Sequence, residues 1–178
     1  MSSVHEPDWQ ASDVATPPAA LRDWLLEPGS LTQRIREHCE SGFHLDVLRE
    51  AVAREEEIPA AWSAGGFPPR LREVMLNCSD TPLVFARTLI PDPATVNDRW
   101  LLELGDRPLG DVLFQSGGER EDGFELAQLD GSTELGRAAL AHVESGKVDV
   151  TTVWARRSWV RLHGEKLLIC ECFLPGLT

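Results

Sequence analysis

Residues 71–90 read LREVMLNCSDTPLVFARTLI, and this stretch decides the fold class. Two apolar runs, 71–78 and 83–90, flank the turn sequence Ser79-Asp80-Thr81-Pro82, which is the pattern of a β-hairpin. Alternation along the first run puts Arg72 on a face with Val74, Leu76 and Cys78. Along the second it puts Arg87 with Phe85 and Leu89. Arginines among apolar neighbours need anionic partners. Two readings stay open for each: a forked clamp on a ligand carboxylate, or neutralisation of a buried glutamate such as Glu73 or Glu171.

A second hairpin closes the chain, with runs 159–162 and 166–174 around His163-Gly164-Glu165. In its last strand Glu171 alternates with Leu167, Ile169 and Phe173, while Leu168, Cys170, Cys172 and Leu174 take the other face. Both faces read as buried. A carboxylate there needs either a buried ion pair or a catalytic role as a proton carrier. Cys170 and Cys172 project together, but no second pair of ligands completes a zinc site, so they read as buried free thiols. The histidines at 5, 38, 44, 142 and 163 form no triad, and no glycine-rich phosphate loop is present.

Outward from the hairpins, the pattern predicts helices over 96–104 and just after Pro108. A charged glycine-rich loop over 117–123, a strand over 124–129 and a helix over 133–143 follow. Ahead of the first hairpin, Pro17-Pro18 leads into a helix over 19–27 that Pro28-Gly29 ends. Ser30, with Gln33 three residues on, opens a second helix to about residue 39. Residues 45–57 fit a helix through Leu45, Leu48 and Val52, or a strand face through Leu45, Val47 and Ala51; propensity favours the helix. Residues 1–16 are polar and unpatterned, a flexible tail, and 17–178 form one domain. Hairpins with helices before and between them make an α+β fold with a largely antiparallel sheet.

The chain of 178 residues suits a single core, and its 42% apolar content is enough to build one. Its net charge of −12 repels nucleic-acid phosphates and anionic membrane surfaces, so neither is an expected partner. An anionic substrate meets the same field, and its site must gather the few arginines locally. No apolar run approaches the roughly 20 residues that span a bilayer. The opening MSSVHEPDWQ lacks a secretion signal and four cysteines make no disulfide framework, which together point to the cytoplasm. The acidic runs at 55–57 and 119–125 read as solvated faces.

Seven segments, taken in order, resemble the chorismate lyase family: LRDWLL (21–26), SLT (30–32), LRE (71–73), ARTLIP (86–91), PLGDVLF (108–114), WARRS (154–158) and ECFLP (171–175). The resemblance implies an antiparallel sheet with helices on it, and a small pocket closed by helical flaps. It implies an enzyme that converts chorismate to 4-hydroxybenzoate and pyruvate, the first committed step of ubiquinone biosynthesis, as a monomer with no metal or organic cofactor. It assigns product binding to Arg72 and Glu171, with main-chain contacts at Leu31 and Leu109; Arg72 and Glu171 are then the catalytic candidates. Arg87 is a further candidate for the enolpyruvyl carboxylate, or a structural ion pair. The resemblance favours a strand over 45–53 against the propensity reading. It marks residues 130–150 as an insertion and Ala86 as standing where the family often carries glycine. The alternatives are a non-catalytic binding or sensor domain for aromatic carboxylates on the same fold, and a related lyase forming another hydroxybenzoate.

Overall fold

A computed structural model describes residues 5–64, 68–92, 104–143 and 150–178. The strands are β1 (Gln10–Ala11), β2 (Phe43–Val52), β3 (Arg70–Cys78), β4 (Thr81–Ile90), β5 (Glu119–Asp130), β6 (Thr152–Leu162) and β7 (Glu165–Phe173). They form one antiparallel sheet in the order β1-β5-β6-β7-β4-β3-β2. Four helices are described: α1 (Ala19–Leu25), α2 (Leu31–His38), α3 (Leu109–Gln115) and α4 (Glu134–Leu140). This is the expected α+β fold in a single domain.

Local chemistry explains the element ends. The β6–β7 hairpin turns on His163-Gly164, both at positive φ (50° and 82°), as a tight turn matched to strand twist requires. Ser30 starts α2 by accepting the Gln33 amide at 3.2 Å, but the Gln33 side chain goes forward to Glu37, so only half of the capping box forms. Thr133 starts α4 in the same way through Gly136.

The two faces of the sheet carry separate cores. On one, Leu25, Leu31 and Ile35 from α1 and α2 pack on Leu76, Val84, Leu126 and Phe173. On the other, Leu135 and Ala139 from α4 pack on Met75, Phe85, Leu129, Ala155 and Cys172. Alternate positions divide between these cores, as with Leu126 against Ala127 and Cys172 against Phe173, except where bulges interrupt the pleat.

Several expectations met a different outcome. Residues 43–52 are a strand, as the family resemblance implied and propensity did not; pairing along β3 overrides the helix preference of Arg, Glu and Ala. The stretch 117–123 is no simple loop, because β5 begins at Glu119. It continues through a bulge in which Asp122 and Gly123 take positive φ (55° and 76°). Strand β6 starts at Thr152, well before the run at 159–162 that composition marked. In the segment expected as a tail, Gln10–Ala11 pair with β5 and Ala15 is buried. The helix expected over 96–104 falls, apart from Leu104, outside the described residues. No described helix is long and apolar enough to cross a membrane.

Candidate functional site

A cavity of about 260 Å³ lies between the α1–α2 face of the sheet and the N-terminal ends of α2 and α3. Its floor is a set of alternate residues from neighbouring strands: Arg72 and Val74 of β3, Ala86 and Thr88 of β4, Ile169 and Glu171 of β7, Arg156 and Ser158 of β6. Leu31 and Thr32 of α2 and Leu109, Gly110 and Leu113 of α3 cover it. A Cβ on Gly110 would come within 3.2 Å of Thr32 Oγ1, so the two covering helices meet closely where glycine stands. An apolar wall with a few converging polar groups is the ordinary make-up of a small-molecule site.

Glu171 sits mid-strand, in register with Arg156 on β6 and Ala86 on β4. Arg156 is 1% exposed, and its Nε donates to Glu171 Oε2 at 2.5 Å. Its Nη1 donates to the carbonyls of Leu25 (3.2 Å) and Glu27 (2.9 Å), at the C-terminal end of α1, where a cation is favoured. The carboxylate is therefore held by a guanidinium that is itself anchored to a helix end.

Arg72 is buried on β3, where its Nη1 pairs with Glu50 of β2 and its Nη2 donates to the carbonyls of Gly105 (2.8 Å) and Arg107 (3.2 Å). Its Nε is buried with no partner among the described residues. Leu31 and Leu109 are the first residues of α2 and α3, and first-turn amides have no acceptor inside their own helix. Both residues line the cavity with Arg72 and Glu171.

Arg87 does not join them. It points to the opposite face, where Nε donates to Glu73 at 2.8 Å and Nη2 to Glu134 of α4 at 3.1 Å. Burial works against its charge, but those two carboxylates outweigh it and raise its pKa. The cause is register: a bulge between Leu76 and Asn77 sets Arg72 opposite Thr88 and Arg87 opposite Glu73. Without it the two arginines would share a face. Cys170 and Cys172 also belong to the far face, where burial pushes the Cys170 thiol up to about 12 and that of Cys172 well above its ordinary value. Among the described residues no group of three His, Cys, Asp or Glu is placed to hold a metal ion.

Two cavity arginines were not singled out from the sequence. Arg156 had a signal, because consecutive arginines in one strand must face opposite ways; Arg157 accordingly points away and pairs with Glu125 at 2.6 Å. Arg120 lay inside the charged run read as solvated. It is the second residue of β5, donates from Nη1 to the carbonyl of Pro28 at 3.0 Å, and lines the cavity. Burial and the nearby Arg156 cation both lower its pKa.

Comparison with known proteins places this architecture. The family model described as chorismate lyase matches residues 4–177. A Shewanella amazonensis protein named "Probable chorismate pyruvate-lyase" is 39% identical, the match covering 90% of this chain and 82% of that one. Chorismate pyruvate-lyases of Erwinia tasmaniensis (37% identical, 89% and 80% covered) and Serratia proteamaculans (34%, 95% and 86%) are similar over the same extent. Among solved structures, the ligand-binding domain of a Bordetella bronchiseptica regulator assigned to the GntR family overlays with a TM-score of 0.44 at 15% identity, covering 75% of this chain and 86% of that one. With the model matched almost from end to end and relatives at 37–39% identity along four-fifths of their length, this chain belongs to the chorismate lyase family.

Proposed function

We propose that this protein is a chorismate pyruvate-lyase that converts chorismate to 4-hydroxybenzoate and pyruvate, and that it makes the aromatic precursor committed to ubiquinone. The observation that supports this reading is the convergence of Arg72 and Glu171 in one cavity. A guanidinium and a carboxylate there match a ligand with a ring carboxylate at one end and a ring hydroxyl at the other.

In the reaction the ether bond at ring carbon 3 breaks, the hydrogen at carbon 4 is lost and the ring becomes aromatic. The released enolpyruvate gains a proton on its methylene and becomes pyruvate. Aromatisation drives the chemistry, so the protein's task is to hold one reactive shape and to manage protons and charge. Arg72 anchors the ring carboxylate, aided by the first amides of α2 and α3 at Leu31 and Leu109. Glu171, fixed by Arg156, lies by the ring hydroxyl and relays the proton as pyruvate leaves.

Incubating the purified protein with chorismate and separating the products by chromatography tests this. Equimolar 4-hydroxybenzoate and pyruvate are expected. A different hydroxybenzoate would make it a related lyase, and tight 4-hydroxybenzoate binding with no turnover would make it a sensor or carrier.

A further inference from the structure

Three arginines line the cavity, and two of them already face a carboxylate: Arg72 has Glu50 and Arg156 has Glu171. Arg120 makes no ion pair among the described residues, although the carboxylates of Glu171 and Glu27 are near enough to favour its charge. Its contacts are the Pro28 carbonyl and the face of Phe124, with the guanidinium carbon 4.1 Å from the ring centroid. Its Nε is buried without a partner among the described residues. The guanidinium of Arg156 lies over the same ring at 4.2 Å, so two cations share one aromatic side chain. A guanidinium does not escape such a position by losing its proton. A half-buried cation beside another cation, with a buried donor left over, is compensated when an anion arrives.

The sheet order sets Arg72 and Arg120 on opposite sides of Glu171. Glu171 is on β7, two strands from β3 with Arg72 and two strands from β5 with Arg120. The two outer strands are four spacings apart, roughly 19 Å across the backbone, and their long side chains enter one cavity from both sides of Glu171. A ligand with one carboxylate engages one side. A ligand with two well-separated carboxylates engages both.

On the lyase reading, on which this inference rests, the substrate has two carboxylates and the aromatic product one. We propose that Arg120 binds the carboxylate of the enolpyruvyl group and so distinguishes substrate from aromatic product. As the ether bond breaks, its electron pair moves onto the enolpyruvyl oxygen, ring carbon 4 gives up its proton, and the enolate is protonated at its methylene. Arg120 stands beside the group on which that negative charge develops, while Arg72 and Glu171 keep the ring.

The test uses the full chain with Arg120→Gln and Arg120→Lys, reading chorismate KM and kcat beside the Kd of 4-hydroxybenzoate. Arg120→Gln is expected to raise the chorismate KM at least tenfold and leave the product Kd within about twofold, and Arg120→Lys to recover part of the loss. Equal weakening of substrate and product in both variants would mean a structural role and overturn the proposal, as would an unchanged KM. Should the Gln variant not fold, the same selective rise in KM is expected of the Lys variant, and its absence is equally decisive. Turnover of chorismate by the wild-type protein, measured alongside, decides the lyase reading separately; without it the proposal falls together with that reading.

Discussion

Arg156 and Glu171 face each other in register across β6 and β7, and the arginine's Nε meets the carboxylate at 2.5 Å. Because the same guanidinium donates to the carbonyls of Leu25, the last residue of α1, and of Glu27 just beyond it, one side chain ties the candidate catalytic carboxylate, the sheet and the end of α1 together. Removing one member of such a pair leaves a buried charge without compensation. Arg156→Met is therefore expected to lower unfolding free energy by roughly 3 kcal/mol or more in urea titrations at neutral pH, with partial recovery in the double variant carrying Glu171→Gln. A loss within a few tenths of a kcal/mol would show that the pair is not structural.

Glu171→Gln keeps the shape of the carboxylate but not its ability to carry a proton. On the proposed mechanism, kcat for pyruvate release falls by about 10²–10⁴-fold while 4-hydroxybenzoate still binds. Coupled detection of pyruvate under saturating chorismate measures it. Near-normal turnover would confine Glu171 to the ion pair with Arg156.

On the proposed mechanism, Arg72→Ala removes the carboxylate anchor that substrate and product share. Both are expected to bind about 10–100-fold more weakly, as loss of a charge-assisted hydrogen bond implies. Calorimetric titration with 4-hydroxybenzoate reads this directly, and an unchanged Kd would reject the anchor. The contrast with Arg87 is informative. Arg87→Met leaves Glu73 and Glu134 without their buried cation, so it is expected to destabilise the fold while the product Kd of the folded protein stays put.

That contrast also marks how far the sequence could be read. Period-two alternation around Ser79-Asp80 and His163-Gly164 revealed both hairpins and the isolated charges of Arg72, Arg87 and Glu171. It could not show which charges share a face, because that depends on register, and one bulge at Leu76/Asn77 reverses the answer. Strand β2 was hidden for another reason. It is an edge strand with exposed Val47, Leu48 and Val52, so its composition reflects water on one side rather than the pleat. Arg120 was hidden by its neighbours: the acidic residues around it suggest a loop, while the bulge at Asp122-Gly123 keeps the strand paired and leaves Arg120 lining the cavity.

The far face of the sheet makes its own contribution, read through pH. Glu57 is buried after β2, and burial alone would raise its pKa. The Arg54 side chain (2.7 Å), the Arg54 amide (2.8 Å) and Arg49 outweigh that and hold the carboxyl at about 2. In the unfolded chain the same group titrates near pH 4.3. A folded value below the unfolded one means that the unfolded state binds the proton more tightly, so acid favours unfolding. The contribution, roughly 3 kcal/mol from the size of the difference, is complete above about pH 5.5 and is lost as pH falls through 4.3 towards 2. Unfolding free energies measured by urea from pH 7 down to 3 should decline along this limb, and Glu57→Gln should flatten it while lowering the neutral plateau. An acid limb of unchanged steepness in that variant would assign the acid sensitivity to other carboxylates and leave Glu57 as a neutral packing residue.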